Sequence, residues 1–212
     1  MMDTLLSNFR VVLVGTLYHG NVGSVCRAMA NMGLRELVLA GPRLCDDAGE
    51  ASRMAVHAAD ILNARREVAT LAEAVADCAF VAGTTARGGL YRQHVKTPRE
   101  LAPELLRLAA NGKVALVFGR EDKGLSNDEI GLCTHLIRIP VHPDYTSLNL
   151  AQAVLLCCYE LYGALGSYEP PVEKSAPALA ARKLKLAEMW RDMLLQIGFM
   201  KEDKADHMMQ GV

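Results

Sequence analysis

The sequence predicts an α/β protein built around a mostly parallel sheet with helices on both faces. Short strand-like segments alternate with helical patterns along most of the chain. The strand-like segments are apolar at successive positions rather than at every second one, which is typical of strands covered on both faces. Glycines and polar residues follow directly after several of these segments. Because ligands of such sheets bind beyond the carboxyl ends of the strands, those loops are the expected site.

The predicted strands are short segments rich in Val, Leu, Ile and Ala that end at a glycine, a proline or a polar loop. In chain order they are Arg10–Gly15, Glu36–Ala40, Ala79–Gly83, Lys113–Phe118 and His135–Pro140. Their carboxyl ends lead into the loops Thr16–Val22, Thr84–Arg87, Gly119–Leu125 and Val141–Thr146. The unusual residues of the chain therefore gather at one edge of the predicted sheet.

The helices between these strands are predicted from capping patterns and apolar spacing. Thr70 and Thr97 are each followed three residues later by glutamate, which fits a capping box. Pro98 then occupies the favoured first position of a helix. In chain order, the predicted helices cover Ser24–Met32, about Ala51–Leu62, a short segment after Thr70, Thr97 to Asn111, a short segment capped by Ser126, and Ser147 to about Gly163.

The length of 212 residues suits one domain with a small appendage. We expect a main domain over residues 1–166 and a linker over 167–180, where prolines interrupt the helical pattern. Residues 181–212 then form a helical extension that we expect to be incomplete. The apolar stripe of its first helix has spacings of three and four residues and contains Leu184, Ala187, Trp190, Leu194 and Ile197.

Composition limits the possible partners and cofactors. The net charge of −1 gives no overall basic field, so an RNA partner would have to bind local basic patches. The six cysteines form no Cys-x-x-Cys pair, which predicts reduced thiols in a cytoplasmic protein. The six histidines show no metal-ligand spacing, so we expect no metal site. No signal peptide or spanning segment is apparent, so we expect no membrane association.

Common catalytic and nucleotide-binding motifs are absent from the polar loops. The first loop lacks Gly-x-Gly-x-x-Gly, and the chain has neither the phosphate-binding loop of nucleoside triphosphatases nor the Gly-x-Ser-x-Gly turn of serine hydrolases. What remains is a site rich in hydroxyls, backbone amides, an arginine and a carboxylate. It contains no evident histidine base.

Three ordered motifs resemble those of a known enzyme family. They are Asn21-Val-Gly-Ser24-Val-Cys-Arg27, Phe118-Gly119-Arg120-Glu121, and Tyr145-Thr-Ser-Leu-Asn149-Leu-Ala151. Together they resemble the signatures of the SPOUT-superfamily RNA 2′-O-ribose methyltransferases, and most closely the bacterial TrmJ-type tRNA (cytidine/uridine-2′-O-)-methyltransferases. The similarity covers roughly residues 8–165, and the segment around Leu184–Phe199 is similar to the helical C-terminal extension of that group.

The resemblance implies a parallel-sheet SPOUT fold whose C-terminal part forms a trefoil knot. It also implies S-adenosyl-L-methionine as cofactor, and a homodimer whose active sites lie at the subunit interface. Carried over by position, the implied cofactor contacts are Thr84, Thr85, Ala86, Gly119, Ile139, Thr146, Ser147 and Leu148. The implied catalytic residues are Arg27, Glu121, Ser147 and Asn149, and the implied substrate contacts are Asn21, Arg87 and Arg92.

The expected reaction is methyl transfer to a ribose 2′-hydroxyl of tRNA, at a cytidine or uridine that is the first nucleotide of the anticodon loop. Because guanidinium stays protonated, we interpret Arg27 as a group that stabilises alkoxide charge and binds phosphate rather than as a base. The alternatives are 2′-O-methylation of ribosomal or another RNA, and a non-catalytic RNA-binding relative. Arg27 could instead pair with Glu36 or Asp3, and Ser147 could cap the last helix of the domain.

Overall fold

The computed structural model describes residues 5–86, 95–166, 168, 178–202 and 209. Its seven strands are β1 (Phe9–Val14), β2 (Glu36–Ala40), β3 (Arg66–Val68), β4 (Cys78–Thr84), β5 (Val95–Lys96), β6 (Lys113–Phe118) and β7 (His135–Ile137). They form one sheet in the order β3-β2-β1-β6-β4-β7-β5, and every neighbouring pair is parallel. The predicted parallel α/β architecture is therefore confirmed.

Helices cover both faces of this sheet. They are α1 (His19–Asn31), α2 (Gly49–Ala55), α3 (Ala59–Ala64), α4 (Leu71–Val75), α5 (Pro98–Ala109), α6 (Asn127–Gly131), α7 (Leu150–Ala164) and, in a separate unit, α8 (Ala180–Gln196). Helices α1, α2, α3, α5 and α7 share one apolar core with alternate residues of the central strands, while α4 and α6 form the core on the other face. In β1, Val11 and Leu13 face the first core, and Val12 and Val14 face the second.

Sequence analysis missed two strands, and both lie at the edges of the sheet. β3 is three residues long and begins with exposed charged residues, Arg66 and Glu67. β5 has only two residues, Val95 and Lys96. Neither segment carries the continuous apolar pattern of a buried strand, because an edge strand has a neighbour on one side only.

The helix predicted over Ala51–Leu62 is wrong as a single element, because the structure has two short helices, α2 and α3, in that region. Val56 ends α2 with a φ of 52°. A β-branched residue at positive φ is uncommon, and nothing in the sequence announces it. The capping box predicted at Thr97 is confirmed, and the cap predicted at Ser126 also takes this form. At Thr70 the side-chain oxygen accepts from the N–H of Glu73 as predicted, but the Glu73 carboxylate accepts from the N–H of Ala69 rather than from that of Thr70.

Helix α1 begins five residues earlier than predicted, at His19 rather than Ser24. The residue that caps it, Asp46, lies in the loop after β2, so no local sequence pattern reveals the start. Asp46 Oδ1 accepts from the backbone N–H of His19 at 2.6 Å, and this hydrogen bond is the main reason why the pKa of Asp46 is lowered. Gly23 is buried within α1, where any Cβ would overlap the carbonyl of Ala51 in α2.

Helix α7 begins at Leu150, so the prediction that it starts at Ser147 is wrong. Asn149 is the N-cap, and its Oδ1 accepts from the backbone N–H groups of Ala151 at 2.9 Å and Gln152 at 3.4 Å. The proposed capping role of Ser147 is wrong for the same reason. An asparagine amide satisfies two free N–H groups of the first turn, which leaves the Ser147 hydroxyl available for another role.

The chain divides into two compact units, Met1–Tyr168 and Glu169–Val212. The exact limits of the predicted linker remain a prediction, and so does the trefoil knot. None of the helices among the described residues combines the length and apolar character needed to cross a membrane. All six cysteines are free, and the adjacent Cys157 and Cys158 of α7 are buried in the core.

A buried arginine joins β1 to β2 and to the segment from α4 to the start of β4, at the amino end of the sheet. The side chain of Arg10 in β1 is 1% exposed. Its Nη2 is 2.9 Å from Asp77 Oδ2, its Nε is 2.7 Å from Glu36 Oε1, and its Nη1 is 2.6 Å from the carbonyl of Ala74. Lys113 also pairs with both carboxylates. The Asp77 carboxylate raises the pKa of Arg10 further, and Arg10 in turn lowers the pKa of Asp77.

We expect Arg10→Ala to lower the free energy of unfolding by about 3–5 kcal/mol, because it leaves two carboxylates beside a buried gap with less positive charge to balance them. Arg35→Ala is the matched control. Arg35 and Asp60 form a pair in which both side chains are about 60% exposed, at 61% and 60%, and such a pair contributes about 0–1 kcal/mol. Urea unfolding measures both. Equal losses of unfolding free energy in the two variants would contradict the conclusion that the buried Arg10 stabilises the fold more than an exposed ion pair does.

Candidate active site

A cavity of about 330 Å³ lies beyond the carboxyl ends of β6, β4 and β7, which are neighbours in the sheet. The loops that follow these strands form its walls, and the segment before α7 closes it. All the residues for which the family resemblance implies cofactor contact line this one cavity: Thr84, Thr85, Ala86, Gly119, Ile139, Thr146, Ser147 and Leu148. The structure thus brings them together, while their role as cofactor contacts stays a prediction.

Backbone contacts hold the walls of the cavity in place. Thr85 N–H donates to the carbonyl of Ile137 at 2.9 Å, and the Thr84 hydroxyl donates to the carbonyl of Val117 at 3.1 Å. The loop after β6 folds back on itself, so that a Cβ on Gly119 would overlap the backbone of Gly124 and Leu125. Only glycine fits at position 119 without moving this loop.

Arg120 anchors the same loop, and sequence analysis assigned it no role. Its two terminal nitrogens bond the two carboxylate oxygens of Glu129 in α6, each at 3.1 Å. Burial raises the pKa of Glu129, but hydrogen bonds from Ser126 N–H and Arg120 outweigh this effect and lower it. A Cβ on Gly15 would lie 2.9 Å from Arg120 Cγ, so glycine after β1 makes room for the arginine side chain. The bidentate pair is a rigid link between the loop and α6.

Glu121, one residue further on, is the centre of a hydrogen-bond network. Its Oε1 accepts from the Thr16 hydroxyl at 3.0 Å and from Asn21 Nδ2 at 2.9 Å. Its Oε2 accepts from the backbone N–H of Leu17 at 3.1 Å. The carboxylate therefore ties the loop after β6 to the loop after β1 and to the first turn of α1.

Asn21 continues this network to α7. Its Oδ1 accepts from Asn149 Nδ2 at 3.0 Å, while Asn149 Oδ1 caps α7. Each amide is fixed in orientation by its neighbours, and each retains one N–H that these bonds do not use. The predicted site residues Asn21, Glu121 and Asn149 are thus in direct contact with one another.

An open cleft of about 840 Å³ adjoins the cavity, and Glu121, Ser147 and Leu148 line both. Asn21 and Asn149 also line the cleft. The remaining wall contains exposed apolar side chains, among them Tyr18, Met54 and Tyr145. Among the described residues, Glu121 is the one ionisable residue that lines both spaces.

Arg27 is the predicted site residue that a single chain does not bring to this place. It is exposed and lines neither the cavity nor the cleft. It is six positions after Asn21, which places it about 9 Å further along α1 and about 120° around the helix. The alternative pairing of Arg27 with Glu36 is wrong, because Glu36 instead pairs with Arg10, Arg66 and Lys113. Asp3, the other suggested partner, lies outside the described residues.

Arg87 and Arg92, the predicted RNA contacts, also lie outside the described residues. Within the described part of the chain, no group of three or more His, Cys, Asp or Glu side chains has an arrangement that could hold a metal ion. The side chains that line the cavity and the cleft supply hydroxyls, amides, the carboxylates of Glu50, Glu121 and Asp122, and the cations of Arg120 and Lys123.

Comparison with known proteins identifies the family. The model of the SpoU rRNA Methylase family matches residues 8–159, which include the sheet, the cavity and most of α7. The chain belongs to this family. The match ends before α8, so family membership describes the sheet-containing unit.

Named relatives show similarity over most of the chain. A tRNA (cytidine/uridine/adenosine-2′-O-)-methyltransferase TrmJ of Pseudomonas aeruginosa is 41% identical and covers 97% of this chain and 84% of its own length. A tRNA (cytidine/uridine-2′-O-)-methyltransferase TrmJ of Salmonella typhimurium is 45% identical over 74% of this chain, which corresponds to 64% of that protein. The chain therefore spans about two thirds of the length of the Salmonella protein.

Solved structures share the fold. The crystal structure of a methylase family protein from Neisseria gonorrhoeae superimposes with a TM-score of 0.73 at 38% sequence identity. The superposition covers 87% of this chain and 95% of that one. The structure of TrmJ from Z. mobilis has a TM-score of 0.68 at 32% identity and covers 95% of this chain and 86% of that one.

We expect Gly119→Ala to destabilise the protein by about 1–3 kcal/mol, because the added methyl group forces the loop after β6 apart. The same movement should weaken binding of S-adenosylmethionine, measured by calorimetric titration. Gly131→Ala is the control, since a Cβ there meets nothing within 4 Å at the end of α6 and should be neutral or stabilise by about 0.5–1 kcal/mol. Unchanged stability and affinity in Gly119→Ala would refute the close-contact argument.

Proposed function

We propose that this protein transfers the methyl group of S-adenosyl-L-methionine to a ribose 2′-hydroxyl of tRNA. The observation that carries the proposal is that all eight implied cofactor residues line one cavity, and that this cavity meets an open cleft at Glu121. The named relatives, which are tRNA 2′-O-methyltransferases, support the same reaction. The proposal assigns this activity to the sheet-containing unit, as part of the full chain.

The cavity suits S-adenosylmethionine in size and composition. Its volume of about 330 Å³ lies within the range of small-ligand sites. Gly119 allows a flat ring to approach the backbone, and Thr85, Ile139 and Leu148 supply polar and apolar walls. When bound, the cofactor supplies a methyl group that is already activated on a positively charged sulfur. Ser147 and Leu148, which line both spaces, would hold this end of the cofactor towards the cleft.

The ribose would enter from the cleft, beside Glu121 and Asn149. A carboxylate accepts hydrogen bonds and orients a hydroxyl, whereas the free N–H of an amide donates to an oxygen. Glu121 can therefore accept a hydrogen bond from a ribose hydroxyl, and Asn149 can donate one to a ribose oxygen. Fixed orientation of the reacting hydroxyl is a large part of what an enzyme can contribute when the methyl donor is already activated.

We also propose that the active protein is a homodimer in which Arg27 reaches the site of the partner. Helix α7 supports this, because it is apolar on more than one face. Val154, Cys157 and Leu161 are buried, while Leu155, Leu156 and Tyr159 on the opposite side are 36%, 40% and 55% exposed. A helix that is apolar all round is normally covered on all sides.

The arginine would then act through charge. Guanidinium is protonated at all accessible pH values, so Arg27 would stabilise negative charge on the 2′-oxygen and bind the adjacent phosphate, while the proton leaves to water. An arginine fork binds phosphate in two places, which lysine cannot reproduce.

A cytoplasmic location agrees with six free cysteines, because thiols stay reduced in that compartment.

The proposed target is a cytidine or uridine at the first nucleotide of the anticodon loop. Incubation of the full chain with labelled donor and either total tRNA or ribosomal RNA, followed by mass-spectrometric mapping, tests this directly. A 2′-O-methylated nucleotide at that position supports the proposal. Label on ribosomal RNA alone would show that ribosomal RNA, not tRNA, is the substrate. Cofactor binding without transfer to any RNA would indicate a non-catalytic relative.

Mixed dimers test whether Arg27 acts across the interface. Arg27→Ala and Asn149→Ala should each be inactive alone. In a mixed dimer, one site would carry both substitutions and the other neither, so random mixing should restore about a quarter of the wild-type activity. Mixing Arg27→Ala with Glu121→Ala should give the same recovery.

The control for this experiment is Asn149→Ala mixed with Glu121→Ala. Both residues belong to the same chain's site, where Asn21 joins them. Each site of the mixed dimer would therefore lack one of the two, and no activity should return. No recovery in the mixtures with Arg27→Ala would place Arg27 in its own chain's site and contradict the interface proposal. Recovery in the control would instead show that Asn149 and Glu121 belong to different sites.

A further inference from the structure

Thr16 has an environment that differs from that of every other neutral polar residue in the described part of the chain. It directly follows β1 and Gly15, and it is 1% exposed; the only other described polar or charged residue that is buried to this degree is Arg10. A buried hydroxyl costs free energy unless it has a hydrogen-bond partner. The partner of Thr16 is Glu121 Oε1, at 3.0 Å.

The backbone around Thr16 is fixed on both sides. Gly15 has a φ of +58°, in the left-handed region, and its N–H donates to the carbonyl of Ala40 at 2.8 Å. The carbonyl of Thr16 accepts from the N–H of Arg43 at 2.9 Å, and the carbonyl of Leu17 accepts from Cys45 N–H at 3.0 Å. The turn at Gly15 therefore holds the Thr16 hydroxyl and the Leu17 N–H, both of which bond Glu121, against the loop that follows β2.

The acceptor positions on Glu121 can be assigned from these bonds. A carboxylate oxygen offers about two acceptor positions. Thr16 and Asn21 occupy both positions of Oε1, and Leu17 N–H occupies one on Oε2. The described protein donors leave one acceptor position of Oε2 unused. Glu121 lines both the cavity and the cleft, so this position is available to a ligand there.

We propose that Thr16 is a positioning residue, whose hydroxyl holds the Glu121 carboxylate so that the remaining acceptor position of Oε2 is presented to the ribose hydroxyl. The inference rests on the proposed function. Without the hydroxyl, Oε1 keeps only Asn21, and the carboxylate can rotate about its side-chain bonds. Such a rotation would also disturb the Asn21–Asn149 contact, because Asn21 bonds both.

Two substitutions of Thr16 test the role of the hydroxyl. Thr16→Val keeps the shape and removes the donor, and we expect it to lower kcat by on the order of 10-fold to 100-fold, the loss produced by misplacing a reacting group. Thr16→Ser restores the donor and should recover most of the rate. Calorimetric Kd values for S-adenosylmethionine should be the same in both variants and in the wild type, since Thr16 does not line the cavity.

Thr134→Val is the matched control. The Thr134 hydroxyl also has a structural hydrogen bond, to the backbone of Val81, but it lies at the amino end of β7, away from the cavity. This variant should keep the wild-type kcat. Wild-type kcat in Thr16→Val, or failure of Thr16→Ser to recover the rate, would overturn the proposal.

An activity-independent measurement separates this inference from the proposed function. Thr16→Val, Glu121→Ala and the double variant are unfolded thermally, and the shifts in midpoint are compared. If Thr16 acts through Glu121, the double variant should shift by clearly less than the sum of the two single shifts. Additive shifts would overturn the positioning role. A wild-type protein that transfers no methyl group to any RNA would overturn the proposed function, while the midpoint comparison still decides whether Thr16 holds Glu121.

Discussion

The Glu121 carboxylate is the contact on which the arrangement of the site depends. A half-buried carboxylate is stable only when hydrogen-bond donors replace the water it has lost. Its donors come from two different parts of the chain, the turn after β1 and the first turn of α1. The loop after β6 therefore cannot move without breaking bonds to both.

The order of the strands explains why these loops can meet. The chain passes from β1 outward to β2 and β3, and β6 later enters between β1 and β4. Such a change of direction leaves a crevice beyond the carboxyl ends of the strands, which is where ligands bind in open parallel sheets. Here Thr16 follows β1, Gly119 follows β6 and Thr85 follows β4, so residues far apart in sequence reach the same edge.

Sequence analysis predicted the parts of the fold that have local causes. Apolar segments such as Lys113–Phe118 are strands, and the Thr97 capping box and the Ser126 cap form as the spacing indicates. The ordered motifs also named residues that the structure brings into one cavity. What sequence analysis missed depends on distant partners. Asp46 caps α1 from another loop, and β3 and β5 are too short to carry a pattern.

The burial of Arg10 also depends on distant partners and could not be predicted from its neighbours in sequence. In sequence it looks like the polar start of an apolar strand, and such a residue is usually exposed. It is buried because Asp77 and Glu36, from other elements, supply its hydrogen bonds. Thr16 is a comparable case at the opposite edge of the sheet, since its hydroxyl has a role only once Glu121 is beside it.

The proposed homodimer would account for two features of the single chain, the position of Arg27 and the exposed apolar face of α7. Arg27 lies on a face of α1 away from Asn21 and has no place in the cavity or cleft of its own chain. Helix α7 exposes Leu156 and Tyr159 next to the cleft-lining residue Gln152. A second copy packed on this face of α7 would remove apolar surface from water, and could bring its own Arg27 to the cleft. Burial of the face and completion of the site would then be one event, so a substitution that separates the subunits should remove activity even though Glu121 and its donors remain in place.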